Sequence, residues 1–296
     1  MELLNTADWK RFLTKLYNKV MDTDALGNAA QIAFYFSFAF FPLLLFLVSL
    51  FGIILESTEE WKADLYVYLA QIMPQSAYEL VHDTLEEIVE GGTGGKLTLG
   101  LLITLYSASA GVDNLRSGLN SVYEETEKRS WWRTKLQAVL LTLLFIILIG
   151  VALIAVTAGW KLAQVGFQSV GLDISSPYVL GAIQWISVIV VMIFVTAVIY
   201  SVLPSFKEFK WVWITPGAVV AIILWIALTS GFKLYLQYFN TYNKTYGSLG
   251  AVIILMLWMY LTAVAVLIGG AINSVLTEMS EEDKEEGDIA AATDIV

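Results

Sequence analysis

The sequence predicts an all-α integral membrane protein: a six-transmembrane-helix bundle with an amphipathic N-terminal helix and a short helical extracytoplasmic segment. Three observations carry this. Of 296 residues, 57% are hydrophobic and 15% charged, with a mean hydropathy of +0.69, whereas a soluble domain of this size needs far more charge. Several apolar runs reach the roughly 20 residues that a ~30 Å hydrocarbon layer requires. The runs are continuous rather than alternating, which selects helices over a closed barrel.

Residues 1–28 are expected to form a cytoplasmic amphipathic helix. Trp9, Phe12, Leu13, Leu16 and Val20 recur at helical spacing, with Lys10, Arg11, Lys15 and Lys19 to the sides. Such a helix suits an anionic membrane face, and it equally suits the inner face of the protein's own bundle. The first apolar run starts near residue 29, after charged residues, so the pattern is not that of a cleavable signal.

Residues 29–276 form the expected membrane domain, with spans near 30–55, 97–117, 136–158, 178–202, 213–236 and 249–276. Pro42 lies inside the first and should kink it by removing the backbone bond to Phe38. Twelve Lys and Arg residues flank one side of these spans and five (Lys62, Lys96, Lys161, Lys233, Lys244) the other. The side with twelve should be cytoplasmic, which places both termini there. The long outer connection, 56–96, divides at Pro74 into two short helices. Ser76 and Glu79 have capping-box spacing at the second, and Gly91-Gly92-Thr93-Gly94-Gly95 is a flexible link. Residues 277–296 read as a disordered acidic tail.

Polar residues inside the apolar runs are the candidates for a site. Ser109, Asp113, Arg116 and Asn120 fall on one stripe of the second span. Asp113 and Arg116 can pair at i, i+3. Thr262 and Asn273 share a face of the last span, and Ile272-Asn273-Ser274-Val275 echoes Leu119-Asn120-Ser121-Val122. The six residues either line an inward-open cavity or stitch helix ends together. On the outer face Lys233, Tyr235, Tyr242, Lys244 and Tyr246 are headgroup candidates, beside the generic role of tyrosine at an interface.

Taken together, several motifs resemble the YihY/BrkB family of bacterial inner-membrane proteins. They are Ala29-Ala30, Ala33-Phe34-Tyr35, Ser37 and Phe41-Pro42, then Leu119-Asn120, Leu203-Pro204 and Pro216-Gly217-Ala218. The last span adds Tyr246-Gly247-Ser248-Leu249, Trp258, Tyr260, Gly269 and Asn273. Ala271 stands where the family usually has an acid, so no role of that acid carries over. The resemblance implies a multi-pass protein of the bacterial inner membrane. It also implies a link to envelope integrity and lipid export: a transporter of lipids or amphiphiles, or else a scaffold that binds envelope proteins.

The family's older label, ribonuclease BN-like, is at odds with the composition. The single histidine, His82, falls on the outer side, and a net charge of −10 with acids gathered in 56–90 and 278–294 does not suit nucleic acid. No nucleophile–base pair, metal cluster or phosphate loop is visible. The sequence therefore leads one to expect no enzyme, no catalytic residue, no metal and no cofactor, with membrane lipids as the partner.

Overall fold

A computed structural model describes residues 6–55, 94–157, 177–209, 211–238 and 248–293. Among these there are seven α-helices and no strand. They are α1 (Thr6–Asp22), α2 (Ala25–Leu55), α3 (Gly94–Val122), α4 (Trp131–Thr157), α5 (Pro177–Val202), α6 (Pro216–Tyr238) and α7 (Ser248–Thr293). Four stretches among the described residues are long and apolar enough to cross a membrane: Trp131–Ile149, Trp185–Val202, Pro216–Tyr235 and Val252–Glu285. The predicted outer helices of 56–96 lie outside the described residues, apart from the start of α3. α2 is a continuous helix through Pro42.

Six helices close into a ring. α3 packs on α4, α4 on α5, α5 on α6, α6 on α7, α7 on α2 and α2 on α3, and α7 also reaches across to α3. The sequence explains why the ring is turned inside out relative to a soluble fold. Its interior is rich in alanine (Ala29, Ala33, Ala108, Ala138, Ala218, Ala263, all buried), while Phe38, Trp185, Ile186 and Ile223 face outward. In lipid, apolar side chains gain nothing by facing inward, so small residues that let backbones approach take the contacts.

The closest approach is between α6 and α7. A Cβ on Gly217 would stand 2.0 Å from the carbonyl oxygen of Gly269, and one on Gly269 would stand 2.3 Å from the Tyr200 hydroxyl. Neither position has room for a methyl group. The Tyr200 hydroxyl, just beside this crossing, donates to the Val266 carbonyl at 2.8 Å and joins α5 to the same point.

Two expectations change here. The acidic tail is not disordered through its length: α7 runs as one helix of 46 residues, about 69 Å at ~1.5 Å per residue, and so outruns the hydrocarbon. Its acids have partners 259 to 272 residues away in the chain. Glu282 meets Arg11 and Lys15 at 2.5 Å each, Asp283 meets Arg11 at 3.3 Å, and Glu278 meets the buried Lys19. Charges at i, i+4 and i+8 of α1 are thereby matched by charges one turn apart on α7. The two seats weighed for α1 also resolve into one contact and one free face. Phe12 and Leu16 pack on Ile272, Val275 and Met279, and Trp9, Leu13, Tyr17 and Met21 stay exposed. Asp24 then takes a left-handed conformation (φ 48°) and its carboxylate accepts the Gly27 N–H at 3.3 Å, capping α2.

The crossing makes a direct prediction. Gly269→Ala should lower the stability of the purified protein by about 2–3 kcal/mol or prevent its accumulation, because α6 and α7 must separate. Gly181→Ala on α5, where a Cβ meets nothing within 4 Å, should be neutral or stabilising by up to ~1 kcal/mol. Thermal unfolding in detergent compares the two.

Candidate functional site

The charged residues at one end of the ring form a connected lock. Asp113 and Arg116 on α3 do pair, at 3.3 Å, and each has a second partner. Asp113 accepts from Lys135 at the start of α4 (3.1 Å), and Arg116 donates to Glu127 in the α3–α4 loop (2.8 Å). Lys135 also lies 4.1 Å from the centre of the Tyr106 ring.

Glu127 is the hub. Arg129 grips it in a fork, Nε to one carboxylate oxygen and Nη2 to the other, both at 2.8 Å. The same guanidinium donates to the Leu203 carbonyl at 3.0 Å and the Ser205 hydroxyl at 2.7 Å in the α5–α6 loop, and to Gln137 at 2.7 Å. Asn120 completes the tie: its carbonyl accepts the Ser205 N–H at 2.8 Å and its amide donates to the Ser205 hydroxyl at 3.1 Å. Gln137 donates to the Val202 carbonyl at 2.6 Å. The loops after α3 and after α5 are thus held side by side. Arg129, chiefly through its hydrogen bond, pulls the Glu127 carboxyl down to about 2 against the opposing effect of burial, and the Ser205 hydroxyl adds to the pull.

Asn273 works elsewhere. Its carbonyl accepts the Gly217 N–H at 2.8 Å and its amide donates to the Thr215 hydroxyl at 2.9 Å. Thr215 in turn accepts the Ala218 N–H at 3.1 Å. Together they satisfy the first turn of α6, whose first residue, Pro216, has no N–H to satisfy. The echo between the two asparagines therefore has a physical basis: each accepts a backbone N–H, Asn120 that of Ser205 in the α5–α6 loop and Asn273 that of Gly217 in the first turn of α6. Ser109 is fully buried and donates to the Tyr106 carbonyl of its own helix at 2.7 Å.

Inside the ring lies a cavity of about 400 Å³. All six helices line it, with Phe36, Leu115, Phe145, Val195, Ile222 and Val266 among the walls. Of the predicted site residues, Thr262 reaches it, donating to the Trp258 carbonyl and accepting the Trp225 indole N–H at 3.1 Å. Ile149 lines the cavity and is 43% exposed.

The sequence had shown Asp113, Arg116 and Asn120 but not Glu127, Arg129, Lys135, Gln137 or Ser205. Arg129 and Lys135 were visible only as part of the basic flank that orients the spans. Leu203-Pro204 in the family motif was the nearest signal for Ser205. Of the outer headgroup candidates, Lys233 is exposed and Tyr235 is half-buried with its ring stacked on Phe232. Tyr242, Lys244 and Tyr246 lie outside the described residues, and the side chain of Pro42 likewise.

Ring, lock and apolar cavity define the class: a helical membrane protein with an internal apolar chamber. The chain belongs to the virulence factor BrkB family, whose model matches residues 16–293. It is 31% identical over 265 residues to the ribonuclease-like protein YfkH of Bacillus subtilis (strain 168), covering 90% of this chain and 94% of that one. No solved structure matches. The YfkH name corrects one expectation: the statement that the chain is no enzyme does not stand beside a relative named ribonuclease-like, and neither the fold nor the likeness shows catalysis in either direction.

The hub carries a pH dependence with a definite sign. A carboxyl whose folded value is depressed stabilises the fold above its unfolded value and loses that contribution as pH falls toward the folded one. Stability owed to Glu127 should be constant from pH 8 to about 5 and vanish between about 4.5 and 2. The difference in unfolding temperature between wild type and Glu127→Gln should shrink across that window, as read in detergent by differential scanning fluorimetry.

Proposed function

We propose that this protein carries amphiphiles, phospholipids first among them, at the bacterial cytoplasmic membrane, with six spans and both termini on the cytoplasmic side. The observation that supports this reading is the cavity. Its volume, about 400 Å³, falls in the range of small-molecule sites. An apolar chamber offers water no partners, whereas an acyl chain suits its walls.

Depth supports the same occupant. Ile32 follows the start of α2 by about 10 Å, Trp225 the start of α6 by about 14 Å, and Ile199 precedes the end of α5 by about 5 Å, at ~1.5 Å per residue. On α4, Ile149 lies about 27 Å from the helix start at ~1.5 Å per residue, so the chamber runs through most of the height of the ring. The lock at one end keeps the loops fixed while the chamber holds the chain. A scaffold reading draws on the far end of α7, where Glu281, Glu285 and Asp288 are exposed.

One experiment separates the two. Val191 and Val195 line the cavity and are half-buried. In proteoliposomes carrying a fluorescent phospholipid, wild type should speed exchange between leaflets at least tenfold over protein-free vesicles, and Val195→Phe, which fills the chamber, should remove most of that gain. Wild-type exchange equal to that of empty vesicles, or an unchanged rate in the filled variant, would contradict the proposal.

A further inference from the structure

The lock does more than tie two loops; it presents their outer surfaces together. The α3–α4 loop and first turn of α4 carry Lys128, Trp131, Trp132 and Arg133, all exposed, with Trp132 at 76%. The two indoles meet edge to face at 4.5 Å. The α5–α6 loop carries Phe206, Lys207, Phe209, Val212, Trp213 and Ile214, also exposed. Lys128, Arg133 and Lys207 have no acidic partner among the described residues, and the nearby acid of the second loop is Glu208. Trp213 is seated by Phe194 at 6.1 Å and Trp211 at 5.3 Å.

From this we infer an anionic-lipid docking surface: the paired loops 124–133 and 203–214 form a preorganised platform that selects lipid headgroups of negative charge. Three features set its occupant. The platform borders the apolar stretches Trp131–Ile149, Trp185–Val202 and Pro216–Tyr235, so it lies where hydrocarbon gives way to headgroups. It mixes exposed aliphatic and indole surface with basic side chains, which suits a lipid with its glycerol backbone and phosphate at two depths. Of its acids, Glu127 is held by Arg116 and Arg129 and Glu124 by Lys19, so Lys128, Arg133 and Lys207 face only Glu125 and Glu208 on these loops, an excess of cations that suits phosphatidylglycerol over phosphatidylcholine. Arg129, bound to the Leu203 carbonyl and Ser205, keeps the two halves in register, so little ordering is lost on binding. This inference is independent of what the chamber holds.

The test uses the full-length protein in neutral detergent, titrated with short-chain phosphatidylglycerol or phosphatidylcholine and read by native mass spectrometry. Each basic residue near a lipid surface contributes about fivefold in affinity, so the triple variant Lys128→Gln/Arg133→Gln/Lys207→Gln should lose on the order of a hundredfold for phosphatidylglycerol and little for phosphatidylcholine. Its unfolding temperature in detergent should match wild type, since all three side chains are exposed. Salt at about 0.5 M should erase the wild-type preference. Equal affinity of wild type for the two lipids would overturn the proposal, as would a preference that survives in the triple variant. Binding of a 20-nucleotide RNA that needs the same three residues and displaces phosphatidylglycerol would overturn it in favour of a nucleic-acid surface.

Discussion

Helices that sit in hydrocarbon cannot be held together by hiding apolar surface from it. What lipid does not offer is a hydrogen bond or a backbone at close range, and this bundle rests on those two. The backbones of α6 and α7 come within contact distance at Gly217 and Gly269. At the same end of the ring, a network centred on Glu127 and Arg129 fastens the α3–α4 loop to the α5–α6 loop. Polar groups that would be costly alone become the fasteners because nearly all are paired. Among the described residues, Asp113 Oδ1, Arg116 Nε and the Trp211 indole N–H are buried without a hydrogen-bond partner, Asp113 Oδ1 having Arg116 beside it only as an ion pair at 3.3 Å.

The lock occupies the loops and helix ends, and the interior adds cross-helix polar contacts such as Trp225 to Thr262. The rest of the ring's middle is left to apolar side chains whose packing is incomplete, and the chamber is the consequence. Large residues such as Trp225, Trp258 and Phe145 stand around it, with Ala221 and Ala263 between them.

Much of the frame was legible from the sequence because its cause is local. Apolar runs of membrane length gave the helices. Thr215-Pro216-Gly217 marked a helix start, and Asp113 with Arg116 showed their pairing through a three-residue step. What the sequence concealed is long-range. Nothing near Glu282 or Glu278 announces Arg11, Lys15 and Lys19, so the acidic end of α7 looked unstructured until its counter-charges were found on α1. Ser205 carries no signal of its own, since a loop serine is ordinary until Asn120 and Arg129 arrive from 85 and 76 residues away. The chamber was invisible for the same reason: its walls come from six helices, and a cavity has no sequence pattern.

The claim on which the account stands is that this lock couples two loops distant in sequence. A double-mutant cycle reads it without reference to any ligand. Arg129→Ala and Ser205→Ala are made singly and together, and unfolding free energies are compared in one detergent. The account predicts a coupling of about 1–2 kcal/mol, the double variant costing less than the sum of the two. Additivity within about 0.3 kcal/mol would mean that the contact between the loops holds nothing, and the lock would fall with it.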